Sequence, residues 1–152
     1  MRIRLLSGLI AGFVGALGMW LVILLSYFFG FHIRIIPAIT ELFVTDSFLG
    51  TFQASIVGVI AHFICGGILG IAFLLTLEIT GYSNWILKGA AGGAVVWFLL
   101  CGMLAKILNI SMRSDAVNSL ANLVVHIIYG IITSLVIVYF HNRTNIENKH
   151  EV

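Results

Sequence analysis

The stretch from Ser47 to Leu77, SFLGTFQASIVGVIAHFICGGILGIAFLLTL, carries no charged residue and decides what kind of chain this is. A helix needs about 20 consecutive apolar residues to cross the hydrocarbon core of a bilayer, and this run is longer than that. Three further charge-free stretches run from Arg4 to Arg34, from Lys88 to Lys106 and from Asp115 to Arg143. The shortest of them, between Lys88 and Lys106, is just long enough to span. The chain of 152 residues is 61% hydrophobic and 9% charged, with a mean hydropathy of +1.13. Soluble domains run near a quarter charged, so these values predict an integral membrane protein in contact with the lipid bilayer. The runs are continuously apolar rather than alternating, which excludes a closed β-barrel and leaves helices to satisfy the backbone.

Spans are expected at Leu5–Phe29, Ser55–Leu77, Lys88–Leu108 and Ser119–Phe140, giving an all-α integral membrane four-helix bundle as one domain over residues 1–152. Aromatic residues gather near the ends: Tyr27, Phe28, Phe29 and Phe31, then Tyr82 and Trp85, then Tyr139 and Phe140. Half-apolar rings favour that interfacial level. Pro37 suits the first turn of a short interfacial helix, Pro37–Val44. The opening Met1-Arg2-Ile3-Arg4 resembles the start of a signal peptide, but no small-x-small site ends the run, so an uncleaved first span is expected. Arg2, Arg4, Lys88, Arg143 and Lys149 fall on one side, against Arg34, Lys106 and Arg113 on the other. This excess predicts a multi-pass protein of the cell membrane with both termini cytoplasmic.

The net charge of +2 comes from scattered residues with no basic run, which gives no basis for nucleic-acid binding. Cys65 and Cys101 lie inside apolar runs, where they read as small buried hydrophobes rather than a disulfide pair. Asp46 or Ser47, and Ser114 or Asp115, read as helix starts. Glu78 is expected at the interface, His32, His141 and His150 in solvent, and the polar segment 142–152 as a frayed tail. No convergent base and nucleophile is legible, so the chain is not expected to be an enzyme.

Self-similarity organises the chain further. Ser55-x6-His62-x3-Gly66 in the second span matches Ser119-x6-His126-x3-Gly130 in the fourth without a gap. Gly8-x3-Gly12 and Gly89-x2-Gly92-Gly93 open the first and third spans. The pattern predicts two tandem two-helix repeats, about 1–80 and 81–141, ahead of the polar tail. Offsets of seven and four put Ser, His and Gly on one helix face, and Gly70 and Ser134 continue the two stripes. The two histidines then lie at one depth, on helices that are diagonal neighbours in an up-down-up-down bundle.

Ionisable side chains inside a span are costly and face the interior or a functional path. The plain reading is a pair of neutral imidazoles, each hydrogen-bonded to a neighbouring helix. The specific reading is axial ligation of haem b by His62 and His126, with Gly66, Gly70, Gly130 and Ser134 making room. Arg34, Lys106 and Arg113 would then pair with the propionates, and Ser55 and Ser119 complete the polar stripe. Zinc is disfavoured, because Cys65 beside His62 has no matching cysteine in the second repeat, where Tyr129 stands. The inner glycines Gly8, Gly12, Gly15, Gly89, Gly92 and Gly93 read as close-packing positions, and only Gly18 and Gly102 approach the histidine level.

The placement of His62 and His126 on the second and fourth helices resembles the core of the cytochrome b family. That resemblance implies haem held between those helices, with electron transfer or haem handling as the function. Over the whole chain, the Gly8-x3-Gly12 opening, the long first loop with Pro37 and the segment His126-Ile-Ile-Tyr129-Gly130 resemble uncharacterised four-span bacterial membrane proteins of the YqhR type. This second resemblance implies a four-helix membrane domain and no activity. Two rivals to haem binding remain. One is a non-catalytic subunit or scaffold that packs its glycine faces on a partner or a second copy; the other is a small transporter or channel with a Ser–His path.

Overall fold

A computed structural model describes residues 2–30, 33, 35–108 and 116–150, with side chains from residue 4 to residue 144 among them. Arg34, Arg113, Ser114, Asp115, His32 and Phe31 lie outside the described residues, as do the side chains of Arg2, Lys149 and His150. Four helices are long and apolar enough to cross a membrane: Arg4–Phe28, Phe52–Thr80, Trp85–Ile107 and Ala116–Thr144. No strand occurs among the described residues.

The elements in order are α1 (Arg2–Phe28), α2 (Ile35–Thr40), α3 (Phe52–Thr80), α4 (Trp85–Trp97), a π-helical segment (Phe98–Leu104), α5 (Ala105–Ile107) and α6 (Ala116–His150). α4, the π segment and α5 run on as one span. Each boundary has a local cause. Thr51, rather than Asp46 or Ser47, caps α3, its hydroxyl accepting from the Ala54 amide at 3.2 Å. Asp46 instead opens a short 3-10 turn, Asp46–Phe48. Gly81 ends α3 at a φ of +82°, which a side chain would resist. Lys88 Nζ then donates to the Thr80 and Gly81 carbonyls, at 2.9 and 2.7 Å, and holds the tight turn into α4. α2 begins two residues before Pro37, which therefore still falls in the first turn. The segment expected to fray continues α6 through His150, because neither Gly nor Pro interrupts it.

α1 lies against both α3 and α6, and α6 lies against α4. α3 approaches α6 and α4 only sparsely, so these contacts form an incomplete ring that is loosest between α3 and α4. Two crossings set the spacing. A side chain at Gly12 would strike the Gly66 carbonyl and the Gly70 backbone, and one at Gly70 would strike the Gly8 carbonyl. A side chain at Gly93 would strike the His126 carbonyl, and one at Gly130 would strike Gly89 and Gly93. Small residues thus bring backbones together where apolar burial gives helices no preference for each other over lipid. Outward positions such as Leu21, Ile60, Ile68, Val95 and Leu120 are large, apolar and exposed, as a lipid-facing surface requires.

α2 closes one end of the bundle over α3. Gly58 leaves space for it, and the Thr40 hydroxyl lies 2.8 Å from the Ile36 carbonyl and 3.5 Å from the Ala54 carbonyl. Towards the end that carries Arg4, Glu78 and His141, the interior is filled by Phe73, Leu74, Leu77 and Ile137, all buried.

Candidate functional site

Between the α2 roof and that apolar filling lies a cavity of about 50 Å³. α1 contributes Ala16 and Met19, α2 Ile35 and Ile39, and α3 His62, Cys65, Gly66 and Leu69. Val96 and Leu100 line it from the third span, and His126 and Tyr129 from α6. The two histidines, on diagonal helices, therefore meet at one small space. Both are buried, with 6% and 5% of their surface exposed.

Each ring has a distinct setting. His62 Nε2 lies 3.5 Å from the Ala16 carbonyl of α1, at the long limit of a hydrogen bond, and its ring meets Phe63 edge-on. His126 Nδ1 lies 2.8 Å from the Asn122 carbonyl one turn back on α6. A carbonyl can only accept, so Nδ1 carries the proton and the Nε2 lone pair is left as the acceptor. That nitrogen faces Cys101 Sγ at 3.9 Å. Asn122 Nδ2 donates to the same sulfur at 3.7 Å, while Asn122 Oδ1 is buried and has no partner among the described residues. Tyr129 crosses the bundle and donates its hydroxyl proton to the Gly66 carbonyl at 2.7 Å.

Cys101, expected as a small buried hydrophobe, is half-buried and has polar neighbours. It sits in the π-helical segment Phe98–Leu104, with its Sγ facing α6. Such turns are uncommon and collect at functional sites. The spacing of the sequence pointed to His62 and His126 but not to Cys101 or Asn122. The available signal was local: Asn122 precedes His126 by four residues, so its carbonyl is the natural acceptor for that ring.

The other expected site residues have different places. Gly66 lines the cavity, whereas Gly130 lies in the crossing with α4. Ser55 is not on the histidine face: it is exposed, and its hydroxyl turns back to the Thr51 carbonyl at 3.1 Å. Only Ala54 and Gly58 of that turn point inward, because α2 covers them. Ser119 is half-buried and does not line the cavity. His141, expected in solvent, stacks on Tyr82 with centroids 3.7 Å apart. Arg4 Nη1 lies 3.8 Å from Glu78 Oε1 at the same end. Burial raises the Tyr82 phenol above its ordinary value, the Glu78 carboxylate adds to this, and Arg4 opposes it.

In this packing the residues do not fit a haem. Drug-sized pockets start near 300 Å³, about six times the space here. The glycines expected to make room have neighbours in that space: Gly66 has the Ala16 methyl group of α1, Gly70 the backbone of α1, and Gly130 the backbone of α4. Among the described residues, no three His, Cys, Asp or Glu side chains converge on one ion.

No curated protein and no solved structure matches the chain. A family model does, over residues 3–148, nearly the whole sequence, and with it the chain belongs to DUF6789, a family of unknown function.

Proposed function

We propose that the protein is a non-enzymatic binding module of the cell membrane, of the carrier type, which seats a small guest between His62 and His126. One observation carries this reading: two buried imidazoles from α3 and α6 line a single small cavity beside the loosest seam of the bundle. Polar side chains deep in a span are tolerated where they serve a path or a site. The seam between α3 and α4 supplies the route, past Leu69, Val96 and Leu100. The scaffold reading is less well supported, because the crossing glycines Gly8, Gly12, Gly89 and Gly93 are buried inside the bundle instead of facing a partner or a second copy.

The same reading includes two tandem units, roughly 1–80 and 81–141, with both termini cytoplasmic. Gly8 and Gly12 cross Gly66 and Gly70 in the first unit, as Gly89 and Gly93 cross Gly130 and Ser134 in the second. Matched crossings one turn from matched histidines support duplication.

Cys65 reports on the cavity. In the detergent-purified protein, a small neutral thiol reagent is expected to modify Cys65, measured in a Cys101→Ser background. Leu100→Trp, which puts an indole at the seam, should slow that modification about tenfold, since a filled void admits no reagent. Equal rates with and without the indole overturn the reading.

A further inference from the structure

The cavity has a chemical bias that its size does not explain. Met19 and Cys65 bring sulfur to its wall, two imidazoles bring nitrogen, and Cys101 stands behind His126. Among the described residues, no carboxylate, lysine or arginine lines it. That is a soft donor set without a fixed countercharge.

We propose that Cys101 Sγ and His126 Nε2 form a two-coordinate site for a soft monovalent cation, Cu(I), at the edge of this cavity. The proposal rests on the cavity reading for the ion's access, and on four observations for its chemistry.

The first is distance. Sulfur and nitrogen stand 3.9 Å apart. An ordinary metal–sulfur bond plus a metal–nitrogen bond sums to about 4.3 Å, so an ion on the line between them needs a shift of only a few tenths of an ångström. The second is tautomer. Metal-binding histidines almost always donate their other ring N–H to a carbonyl or carboxylate, and His126 does so to the Asn122 carbonyl at 2.8 Å. The lone pair facing the sulfur is thereby fixed before any ion arrives. The third is the donor pair itself. Thiolate and imidazole suit copper, and thiolate selects its monovalent form over harder ions. Asn122 Nδ2, 3.7 Å from the sulfur, stabilises the thiolate, and its buried oxygen remains to be partnered.

The fourth is charge. On binding, the Cys101 S–H bond breaks and a sulfur electron pair forms the S–Cu bond. The His126 Nε2 lone pair forms the second bond, the proton leaves to bulk buffer, and copper stays in the +1 state throughout. Thiolate, Cu(I) and neutral imidazole sum to zero, so no net charge is left in a low-dielectric interior. A divalent ion in the same place would leave one uncompensated positive charge, and among the described residues no third ligand of the usual kind joins to neutralise it. The Cys101 thiol faces α6 from within the π-helical segment.

The test uses the full-length protein in detergent, anaerobically, with Cu(I) delivered from its bathocuproine disulfonate complex and read by chelator competition. One Cu(I) per chain is expected. Cys101→Ser should weaken binding by at least about a hundredfold, the upper end of what losing an outer-shell partner costs. Cys65→Ser should change it by less than about threefold, because Cys65 is a wall residue and not a ligand. One released proton makes the wild-type affinity rise about tenfold per pH unit, whereas Cys101→Met, a soft ligand with no proton to lose, should flatten that slope. Among the described residues, the titratable neighbours are His126 itself and, around the cavity, His62, Cys65 and Tyr129. Helix content and elution volume identify any variant that fails to fold, and Cys101→Met provides a second route if Cys101→Ser does. No Cu(I) uptake, or equal uptake by wild type and Cys101→Ser, overturns the site. If Cys65 still responds to the indole at Leu100 while Cu(I) does not bind, the cavity stands and the copper assignment falls. If Cu(I) binds while Cys65 is unaffected by the indole, the cavity reading falls and the site stands alone.

Discussion

Tyr129 shows how one side chain ties the two halves of this bundle together. Its hydroxyl reaches the Gly66 carbonyl on the opposite helix, and its ring meets Phe73 edge-on at 5.9 Å. The bond spans 63 positions of chain, so it has no local substitute. Tyr129→Phe keeps the ring contact and removes only the hydroxyl, leaving the Gly66 carbonyl with its own helical partner. A cross-helix hydrogen bond in a membrane is worth about 0.6 kcal/mol on average, and the variant should lose about that much in a denaturing-detergent titration. A loss near zero would mean that the hydroxyl is not bonded in the folded state. At this scale the sequence was partly legible. The matched histidines followed from helical spacing, but Tyr129 stood only as a mismatch to Cys65. Cys101 was read as apolar filling because its polar neighbours, His126 and Asn122, lie 25 and 21 positions away on another helix.

The spans of the elements were legible because each is delimited by charge, and charge is what the bilayer excludes. Their caps were less so: Thr51 took a role expected of Asp46 or Ser47, since the extra turn Asp46–Phe48 postpones the start of α3. Pairing between elements depended on glycine, and there the inner clusters gave a usable signal. Gly12→Ala drives a methyl group into the Gly66 carbonyl and the Gly70 backbone, neither of which can turn aside. The cost should be about 1–3 kcal/mol, as for other overpacked contacts, and Gly93→Ala should lose a similar amount against the His126 carbonyl. Gly102→Ala is the control. Its methyl group would meet only Phe98 Cδ2, at 3.9 Å, so stability should be unchanged or slightly raised. All three are read by the same detergent titration. A uniform small loss at all three sites would mean that these crossings are looser than their geometry.

At the scale of the whole molecule, the question is whether the helices can part around the histidine pair. α1 is the obstacle to a large guest. It lies between α3 and α6, presents the Ala16 carbonyl to His62, and closes on α3 through Gly12 and Gly66 at the next turn. A macrocycle ligated by both imidazoles would have to displace that helix or force the α4 crossing at Gly130, and either movement breaks a backbone-to-backbone contact. The cavity holds about 50 Å³, room for a guest of one or a few atoms. After expression with ample haem, the purified protein is therefore expected to lack a stoichiometric Soret band and to show no sharp α and β bands on reduction with dithionite. If those bands appear, and disappear in both His62→Ala and His126→Ala, the bundle opens far enough to admit haem. The crossing glycines would then be hinges rather than fixed seams, and Gly12→Ala, which already separates α1 from α3, should raise haem occupancy instead of merely lowering stability.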